Sequence, residues 1–447
     1  MQFTTEALQT VVQILWHDLE HQTAFQGLDA REQEQALQQG LQQVGAALLQ
    51  RAWEAHDAQI HARGVRCEVP DCPEQGWRMR RTARRSVHVL TQFGPVRYRR
   101  SEYQGRCGHR RQPLDETFGL QPGQPSPWLE GLLAELGAQQ PFEQGATWLA
   151  RWWGVKVSPN TVRRATGAWG ARLAQEETHR FTASGEAESP RPAGPPRVYG
   201  AIDGGFVLLR QDAHDPERWR EAKMVAWFQE GRPYHAPKRG EDGPPKRARD
   251  IQYAGTLKAK EAFGQVLWSS AVAYQADRAA EVVILADGAA WIWDLVRTYF
   301  PQAVEILDWT HAHQRLHTVR KAQWGEEDLE AGMAWLIPVR QALWEGEVDT
   351  VVAACQALAA QGGPGAEEAR KAAGYFEQHR RRMRYDAFRK AGYFIGSGVI
   401  ESGVKQVITA RLKVAGAQWN PSSGETMLKA RCALLNAYRS PPSPLAV

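Results

Sequence analysis

The sequence predicts an α/β protein with an inserted block of helices, and three observations support this fold class. Three apolar, strand-like segments, Val198–Ile202, Val282–Ala286 and Ala303–Leu307, each run directly into an aspartate. A helical segment, Ala290–Phe300, separates the last two, and such a β-α-β unit implies a parallel part of a sheet. Residues 312–390 show helical periodicity and no strand pattern. We therefore predict an α/β domain that is interrupted by an all-helical insertion.

The rest of the chain divides by changes in composition. Apolar side chains recur at helical spacing near the N-terminus, and a stretch rich in Gly, Pro, Ala and Ser precedes the first strand. The predicted regions, in order, are a helical region at 1–63, a basic β module at 64–125, a helix-turn-helix region at 126–181, a linker at 182–197, and the α/β domain at 198–440 with its helical insertion at about 313–392.

The composition favours a soluble protein that binds a polyanion. The 447-residue chain has a net charge of only +5, but eleven arginines and a single acid, Glu102, lie between Arg78 and Arg111. Such a cluster suits phosphate contacts, although one cluster alone also fits a solvated face. Five cysteines do not describe a disulfide scaffold here, and the sequence shows neither a secretory signal nor an apolar run of membrane length. We expect a cytoplasmic protein that associates with the nucleoid when it binds DNA.

The β module carries a candidate zinc site. Cys67 and Cys72 flank a Pro-Asp turn, and Cys107 and His109 follow two strand-like segments. In a zinc ribbon, two such turns place four ligands tetrahedrally. The spacing is irregular, because the first turn is C-x4-C and the second offers one cysteine and one histidine. The alternative is a set of ordinary reduced cysteines in an arginine-rich hairpin. In both cases the arginines suit contacts with a DNA backbone.

The next region has the pattern of a helix-turn-helix. A helix at Gly145–Trp153 is followed by a short turn and a second helix from about residue 160 to residue 177. Ser158 is a suitable N-cap, because its hydroxyl can accept a hydrogen bond from a first-turn N–H. Arg163 and Arg164 on the second helix would reach the nucleic acid. The alternative is a helical hairpin with no binding role.

The α/β domain is predicted to open with a β-hairpin. The first strand ends at Asp203, Gly204 and Gly205 form a tight turn, and a second strand covers Phe206–Leu209. Taken alone, Asp203 also fits a turn residue that bonds its own backbone. The following segments are assigned as a third strand, a mobile surface loop and a helix, at Lys223–Gln229, Gly231–Arg249 and Thr256–Tyr274.

Three carboxylates from separate segments form a candidate metal site. Asp203 and Asp287 end strands, where chemistry collects in open α/β sheets, and Glu401 lies on a late helix that opens at Ser397 or Gly398. Mg2+ takes one or two carboxylates per ion together with phosphate oxygens. A pair of Mg2+ or Mn2+ ions would activate the attacking oxygen and stabilise the leaving oxygen at phosphorus. Asp203 would bridge the two ions, and each of the other acids would complete one.

The motifs around these acids resemble a known family. AIDGG at Asp203, LADGAAWIW at Asp287, DWTH at Asp308–His311 and GSGVIESGVK at Glu401 are similar to those of the ISKra group of insertion-sequence transposases. That group resembles the Mutator-type DDE transposases, which have a ribonuclease-H-like catalytic domain. The resemblance covers roughly residues 198–439 and includes the later segment LKARCALL. It implies a DDE triad of Asp203, Asp287 and Glu401 that binds two Mg2+ ions.

The resemblance also implies roles for other segments. Residues 313–392 would be the all-helical insertion of such transposases, and Asp308 with His311 matches a D-x-x-H signature. We assign this pair to support of the site or of a DNA strand. The alternative is a helix cap and a packed histidine. GPVRYRR and PLDETFGL in the first half also resemble the group, but Gly105 and a lone Cys107 replace its usual Cys-x-x-Cys.

Further residues are candidates for DNA contact. Trp291 or Trp293, beside Asp287, could stack on a flipped base, and their i, i+2 spacing leaves at most one for this role and the other for the core. Two later basic clusters are Arg380, Arg381, Arg382 and Arg384, and Lys405, Arg411 and Lys413.

The expected function is that of a DNA transposase. It would bind the terminal inverted repeats of its element and the target DNA, and would catalyse metal-dependent strand cleavage and strand transfer. Because two ends must be brought together, a homodimer or higher oligomer is expected. Two alternatives are a non-catalytic DNA-binding regulator derived from a transposase, and a ribonuclease-H-like nuclease. An intact acid trio argues against the regulator, and the N-terminal binding modules argue against the stand-alone nuclease.

Overall fold

A computed structural model describes residues 27–186, 193–210, 218–231, 247–326 and 329–439, with a few isolated positions before residue 27. The chain forms two compact units, Met1–Ala165 and Thr166–Val447. The predicted helix before residue 27, residues 187–192 of the predicted linker and most of the predicted loop at 231–249 lie outside the described residues. Among the described helices, none has the length and apolar character needed to cross a membrane.

The first unit combines helices with a small antiparallel sheet. Helix α1 (Ala30–Arg63) starts at Asp29, whose carboxylate accepts from the Glu32 N–H in a capping box. Strands β1 (Arg80–Thr91), β2 (Gly94–Gln104) and β3 (Arg110–Arg111) follow in that order in the sheet. Trp53 of α1 contacts Tyr98 of β2 edge-to-face at 5.1 Å, and Asp57 accepts hydrogen bonds from the N–H and hydroxyl of Ser101. These contacts bury the side of the sheet that faces α1. Arg97 and Arg99 of β2 are exposed, whereas Arg100 is largely buried and pairs with Asp115 at 2.9 Å.

Four further helices follow the small sheet: α2 (Pro113–Phe118), α3 (Pro127–Gln139), α4 (Phe142–Trp153) and α5 (Pro159–Glu186). Ser158 caps α5, because its hydroxyl accepts from the Thr161 N–H at 3.1 Å, as the sequence predicted. Helix α5 extends well beyond the predicted end near residue 177, and it passes through residues 182–186 of the predicted linker.

The second unit is built on a mixed five-stranded sheet with the order β6-β5-β4-β7-β8. The strands are β4 (Arg197–Leu208), β5 (Trp219–Gly231), β6 (Arg247–Thr256), β7 (Glu281–Ala286) and β8 (Val304–Leu307). Strands β4, β5 and β6 pair antiparallel, whereas β7 pairs parallel with both β4 and β8. The parallel part agrees with the predicted β-α-β unit.

Helices cover the sheet and form the predicted helical block. They are α6 (Lys260–Tyr274), α7 (Ala290–Tyr299), α8 (Trp309–Trp324), α9 (Leu329–Trp344), α10 (Val348–Gln361), α11 (Ala366–Gln378), α12 (Tyr385–Lys390), α13 (Gly398–Val404), α14 (Ala410–Leu412) and α15 (Pro421–Arg439). A π-helical turn, Lys405–Thr409, joins α13 to α14. One core, which includes Trp227, Phe263 and Trp293, lies between the sheet and helices α6 and α7.

Two expectations about the start of this unit are wrong. Gly204 and Gly205 form no turn but continue β4, paired with Lys223 and Ala222 of β5. A Cβ at Gly205 would lie 3.1 Å from the Val404 side chain, so glycine permits a close approach of α13 rather than a reversal of the chain. The sequence also missed β6, because its polar, alternating segment resembles a loop when it is separated from the strand that it pairs with.

Gly200, in the middle of β4, has no room for a larger side chain. A Cβ there would lie 2.6 Å from Trp227 and 2.9 Å from Ile284. Gly200→Ala should therefore destabilise the protein by about 1–3 kcal/mol through overpacking, as measured by chemical denaturation. Gly374→Ala on α11 is the control, since a Cβ there meets nothing within 4 Å, and it should stabilise by up to about 1 kcal/mol. Equal effects of the two changes would contradict this account of the core.

Candidate active site and metal clusters

Three aspartates lie in one row where the parallel pairing of β4, β7 and β8 stops. Ile202 of β4 pairs with Ala286 of β7, and Ala286 pairs with Leu307 of β8. The residue that follows each of these is an aspartate: Asp203, Asp287 and Asp308. The Asp308 N–H donates to the Ala286 carbonyl at 2.8 Å, which extends the register by one residue. Asp287 and Asp308 follow the last residues of β7 and β8, as predicted. Asp203 lies beside them in register, but it does not end its strand, because β4 continues to Leu208 in the ladder with β5.

Asp203 lies next to Asp287 in this row, on β4. Its side chain is partly exposed, and its Oδ1 accepts a hydrogen bond from the Gly204 N–H at 2.7 Å. Burial is the main cause that raises the pKa of Asp203, and the carboxylates of Asp287 and Glu401 raise it further. The Gly204 N–H and His311 act in the opposite direction. The charges of both other predicted ligands therefore act on Asp203, although the three residues come from distant parts of the chain.

Asp287 is held in a short turn that leads into α7. Its Oδ1 accepts from the Ala289 N–H at 2.8 Å. The next residue, Gly288, contacts helix α11 of the helical block so closely that a Cβ would lie 2.3 Å from the Tyr375 ring. Buried His379 hydrogen-bonds to the Gly288 backbone, and burial together with the nearby Arg382 lowers the pKa of His379 to about 4. The helical block therefore fixes the turn that carries Asp287.

Sequence reasoning missed Tyr375 and His379 as neighbours of the site. Their segment shows only helical periodicity, and no local pattern relates it to a strand end almost ninety positions earlier. The glycine after Asp287 was the one available signal, because a glycine after a strand-end acid can mark the close approach of another element.

Glu401 is linked to the row of aspartates through Ser397. Glu401 lies in α13, and its Oε1 accepts from the Ser397 hydroxyl at 3.1 Å. The N–H of Ser397 in turn donates to Asp308 Oδ1 at 2.6 Å. Ser397 is only 2% exposed, so this bridge is shielded from water. The helix that carries the glutamate is thus attached to the end of β8.

Asp308 both caps a helix and connects two segments. Its carboxylate is fully buried, and its Oδ2 accepts from the N–H and the ring Nδ1 of His311 at 2.9 and 2.8 Å. Burial tends to raise the pKa of Asp308, but the hydrogen bonds from His311 and Ser397 outweigh it and lower the pKa. The hydrogen bond to Asp308 raises the pKa of His311. The cap that the sequence offered as an alternative is present, and the bond to Ser397 adds a supporting contact.

The predicted ligands form two arrangements with different geometry. Within the described residues, the compact group is Cys67, Cys72, Cys107 and His109, whose ligand atoms all lie within 4.8 Å of one another. The carboxylate oxygens of Asp203, Asp287 and Glu401 do not all lie within that distance of one another. A two-ion site is more open, because ions about 3.5–4 Å apart separate the outer ligands on either side of a bridging acid.

The arginines and lysines predicted to contact DNA differ in exposure. Arg382 is held against the protein, because it packs over the Trp293 ring at 4.4 Å and pairs with Glu305 at 2.6 Å. Arg411 is 2% exposed and lies over the Trp419 ring at 5.3 Å, and burial lowers its pKa to about 10. Both are better explained as packing residues, a role that the sequence did not indicate. The predicted cations that are exposed are Arg163, Arg164, Arg380, Arg381, Arg384, Lys405 and Lys413.

The tryptophans beside Asp287 are both held in the fold. Trp293 is 1% exposed in the core, as expected for one member of the pair. Trp291 is partly exposed, contacts Phe263 edge-to-face at 5.7 Å, and has the Lys223 ammonium 5.5 Å from its ring centre. Of the two, Trp291 is therefore the one with a surface that a base could reach.

Comparisons with known proteins give one family. Among solved structures, the chain is similar to the Drosophila P element transposase strand transfer complex, with a TM-score of 0.30 and 9% identity over 72% of this chain and 94% of that chain. No curated protein matches the sequence. The model of an uncharacterised protein family, UPF0236, matches residues 23–330. Because this match covers more than half of the sequence, the chain belongs to the UPF0236 family.

Proposed function

We propose that this protein is a DNA transposase of the DDE type. It would bind the terminal inverted repeats of its element, cleave DNA strands in a metal-dependent reaction and join the freed ends to target DNA. The observation that carries this proposal is the placement of Asp203 and Asp287 side by side where the parallel pairing of β4 and β7 stops, with Glu401 attached to the same edge through Ser397 and Asp308.

The donor set of the three acids fits Mg2+ or Mn2+. All three side chains offer carboxylate oxygens, the ligands that hard cations prefer, and all three are partly exposed. In the described part of the chain, Asp203 and Asp287 each use one oxygen for a backbone N–H, which leaves the other for a cation. Two bound ions would supply charge stabilisation to the attacking and leaving oxygens at phosphorus.

The surrounding residues set the positions of these acids. The Gly204 and Ala289 N–H groups orient the carboxylates of Asp203 and Asp287. Asp308 accepts a hydrogen bond from the Ser397 N–H, and the Ser397 hydroxyl donates to Glu401. A site that must bind a phosphodiester productively needs such supporting hydrogen bonds, because small displacements of the acids cost large factors in rate.

The remaining parts of the proposal concern the fold and the partner. The mixed sheet with acids at the carboxyl ends of its parallel strands supports a ribonuclease-H-like catalytic domain with a helical insertion. Exposed Lys405, one helical turn after Glu401, and exposed Lys413 further along the chain suit phosphate contacts. Exposed Arg163 and Arg164 on α5 suit contacts with the repeats. The protein would act in the cytoplasm as a homodimer or higher oligomer that holds two ends together.

The test is cleavage and strand transfer on DNA that carries the element's own flanking ends, with Mg2+ or Mn2+. Wild-type protein should cut and join, and Glu401→Gln should do neither while it still binds the ends. Glu330→Gln, a matched change at an exposed position of α9, should leave both activities intact. Cutting without joining would replace the proposal by a nuclease. Tight binding without metal-dependent chemistry would replace it by a regulator.

A further inference from the structure

We infer that the first unit contains a structural Zn2+ site formed by Cys67, Cys72, Cys107 and His109. The site is separate from the three acids, and it does not depend on the proposed reaction. The four residues come from two turns that lie about forty positions apart in the chain, one after α1 and one between β2 and β3.

The distances between ligand atoms match a tetrahedral zinc ion. With Zn–S near 2.3 Å and Zn–N near 2.0–2.1 Å, tetrahedral geometry places two sulfurs about 3.8 Å apart and a sulfur and a nitrogen about 3.6 Å apart. The Cys67 and Cys107 sulfurs are 3.8 Å apart, and Cys67 Sγ lies 3.6 Å from His109 Nδ1. All four ligand atoms lie within 4.8 Å of one another. These separations are far longer than the roughly 2.05 Å bond of a disulfide.

The backbone around the ligands is arranged for such a cluster. The N–H of Cys67 donates to the Trp77 carbonyl, and the Cys67 carbonyl accepts from the Gly76 N–H at 2.7 Å, which closes the first turn. A Cβ at Gly105 would lie 2.8 Å from Cys107 Sγ, so glycine leaves room for the sulfur to face the cluster. Gly105 therefore has a steric reason to be glycine.

A direct contact joins the two turns. The Cys107 N–H donates to Glu74 Oε2 at 2.6 Å, so the second turn is attached to the first by a charge-assisted hydrogen bond. This contact sets the distance between the two pairs of ligands. Supporting hydrogen bonds of this kind orient metal ligands before the ion binds.

The ligand chemistry selects zinc among the common biological cations. Three thiolates and one imidazole form a soft donor set that Mg2+ and Ca2+ do not favour. Four protein ligands leave no open position for a substrate or an activated water, which is the pattern of a structural site. Arg66 donates to the Gly76 carbonyl and Arg111 donates to the Arg66 carbonyl, so both guanidinium groups support the backbone around the first turn.

A bound zinc ion would stabilise a part of the molecule that has a small apolar core. Besides the ligands, the buried cluster found here in the described part of the chain consists of Val65, Met79 and Tyr103, with Ile60 and Val69 partly buried against it. So small a core gives little hydrophobic stabilisation, and small domains of this kind commonly use a metal instead. Zinc would join the end of α1 to the strands that carry the exposed arginines, and would hold that basic surface in shape.

The experiment measures metal content and coordination in the full-length protein. Wild-type protein purified under reducing conditions should contain one zinc ion per chain, and Co2+ in its place should give the visible ligand-field bands and thiolate charge-transfer absorption of a tetrahedral site. Cys107→Ala should lose nearly all bound zinc. Cys355→Ala is the matched control, because Cys355 is a buried cysteine of α10 outside the cluster, and it should keep the full amount.

Several results would overturn the inference. These are wild-type protein without stoichiometric zinc, a cobalt spectrum that lacks thiolate charge transfer, or a disulfide between two of these cysteines in freshly purified protein. The wild-type cobalt spectrum decides the matter even if Cys107→Ala fails to fold. Because the readouts are metal content and absorption, failure of the transposase proposal would leave this result unchanged.

Discussion

Asp203→Asn should abolish metal-dependent DNA cleavage, with a loss of about a thousandfold or more. An amide oxygen carries no charge with which to bridge two cations, and loss of several kcal/mol of transition-state stabilisation corresponds to a factor of this size. The measurement is cleavage of end-containing DNA by variant and wild type in Mg2+ and in Mn2+.

The same substitution should not weaken the fold in the absence of metal. Burial and the two neighbouring carboxylates raise the pKa of Asp203, so its ionised form is disfavoured in the folded protein. A neutral amide removes this repulsion, and Asp203→Asn in a chelator should be at least as stable as wild type. Added Mg2+ should stabilise wild type more than the variant, because it binds the folded protein only where the acids are intact.

Asp294→Asn serves as the control for this prediction. Asp294 is an exposed acid of α7 that pairs with Arg297, and its loss should change neither cleavage nor the response to Mg2+. A variant at position 203 that cuts DNA at the wild-type rate would contradict the assignment. A variant that is unfolded in chelator would show that Asp203 serves the fold rather than the reaction.

Asp308→Asn should be the most destabilising of these changes, at about 3–5 kcal/mol. The buried carboxylate accepts from the Ser397 N–H, the His311 N–H and the His311 ring. An asparagine can place its oxygen toward only one side, and its amide nitrogen then faces N–H donors that need an acceptor. Denaturant unfolding at neutral pH measures the loss.

The destabilisation by Asp308→Asn should depend on pH in a defined direction. The pKa of Asp308 is lowered in the folded protein, so its ionised form stabilises the fold above its unfolded pKa of about 3.9, and this contribution is lost as the pH falls through the folded value. The difference in stability between wild type and Asp308→Asn should therefore shrink in acid. The raised pKa of His311 adds stability below about pH 6.5 that is lost as the pH rises through its folded value.

Asp294→Asn again provides the comparison, since an exposed acid should change stability by no more than about 0.5 kcal/mol. A small cost for Asp308→Asn at neutral pH, or a cost that stays constant down to pH 3, would contradict the role given to this carboxylate. If Asp308 acts as described, the variant should also lose cleavage through misplacement of Glu401, even under conditions where it remains folded.

Local patterns were sufficient for much of the second unit. The segments before Asp287 and Asp308 have the strong, short apolar runs of buried strands, and Ala290–Tyr299 has the spacing of a helix, so all three elements were predicted to within a residue or two. Helical periodicity was equally sufficient for the block after Trp309. The acids at the strand ends followed from the rule that carboxyl ends of parallel strands share one edge.

Elements that depend on distant partners were not predictable in this way. Gly204 and Gly205 resemble a turn until the ladder with β5 and the approach of Val404 are known. Strand β6 is half polar and forms because β5 offers it hydrogen bonds. Arg382 and Arg411 belong to basic clusters in the sequence, yet both side chains pack against tryptophan rings and are largely buried.

The sequence by itself determined which residue types could carry the chemistry, because an acid that closes an apolar strand and a cysteine at a turn are local facts. Only the tertiary structure decided how these residues are supported. The bonds from Asp308 to Ser397 and from Ser397 to Glu401, and the contact of Tyr375 with Gly288, join segments that lie far apart in the chain. Such contacts depend on chain topology and packing, and no local periodicity encodes them.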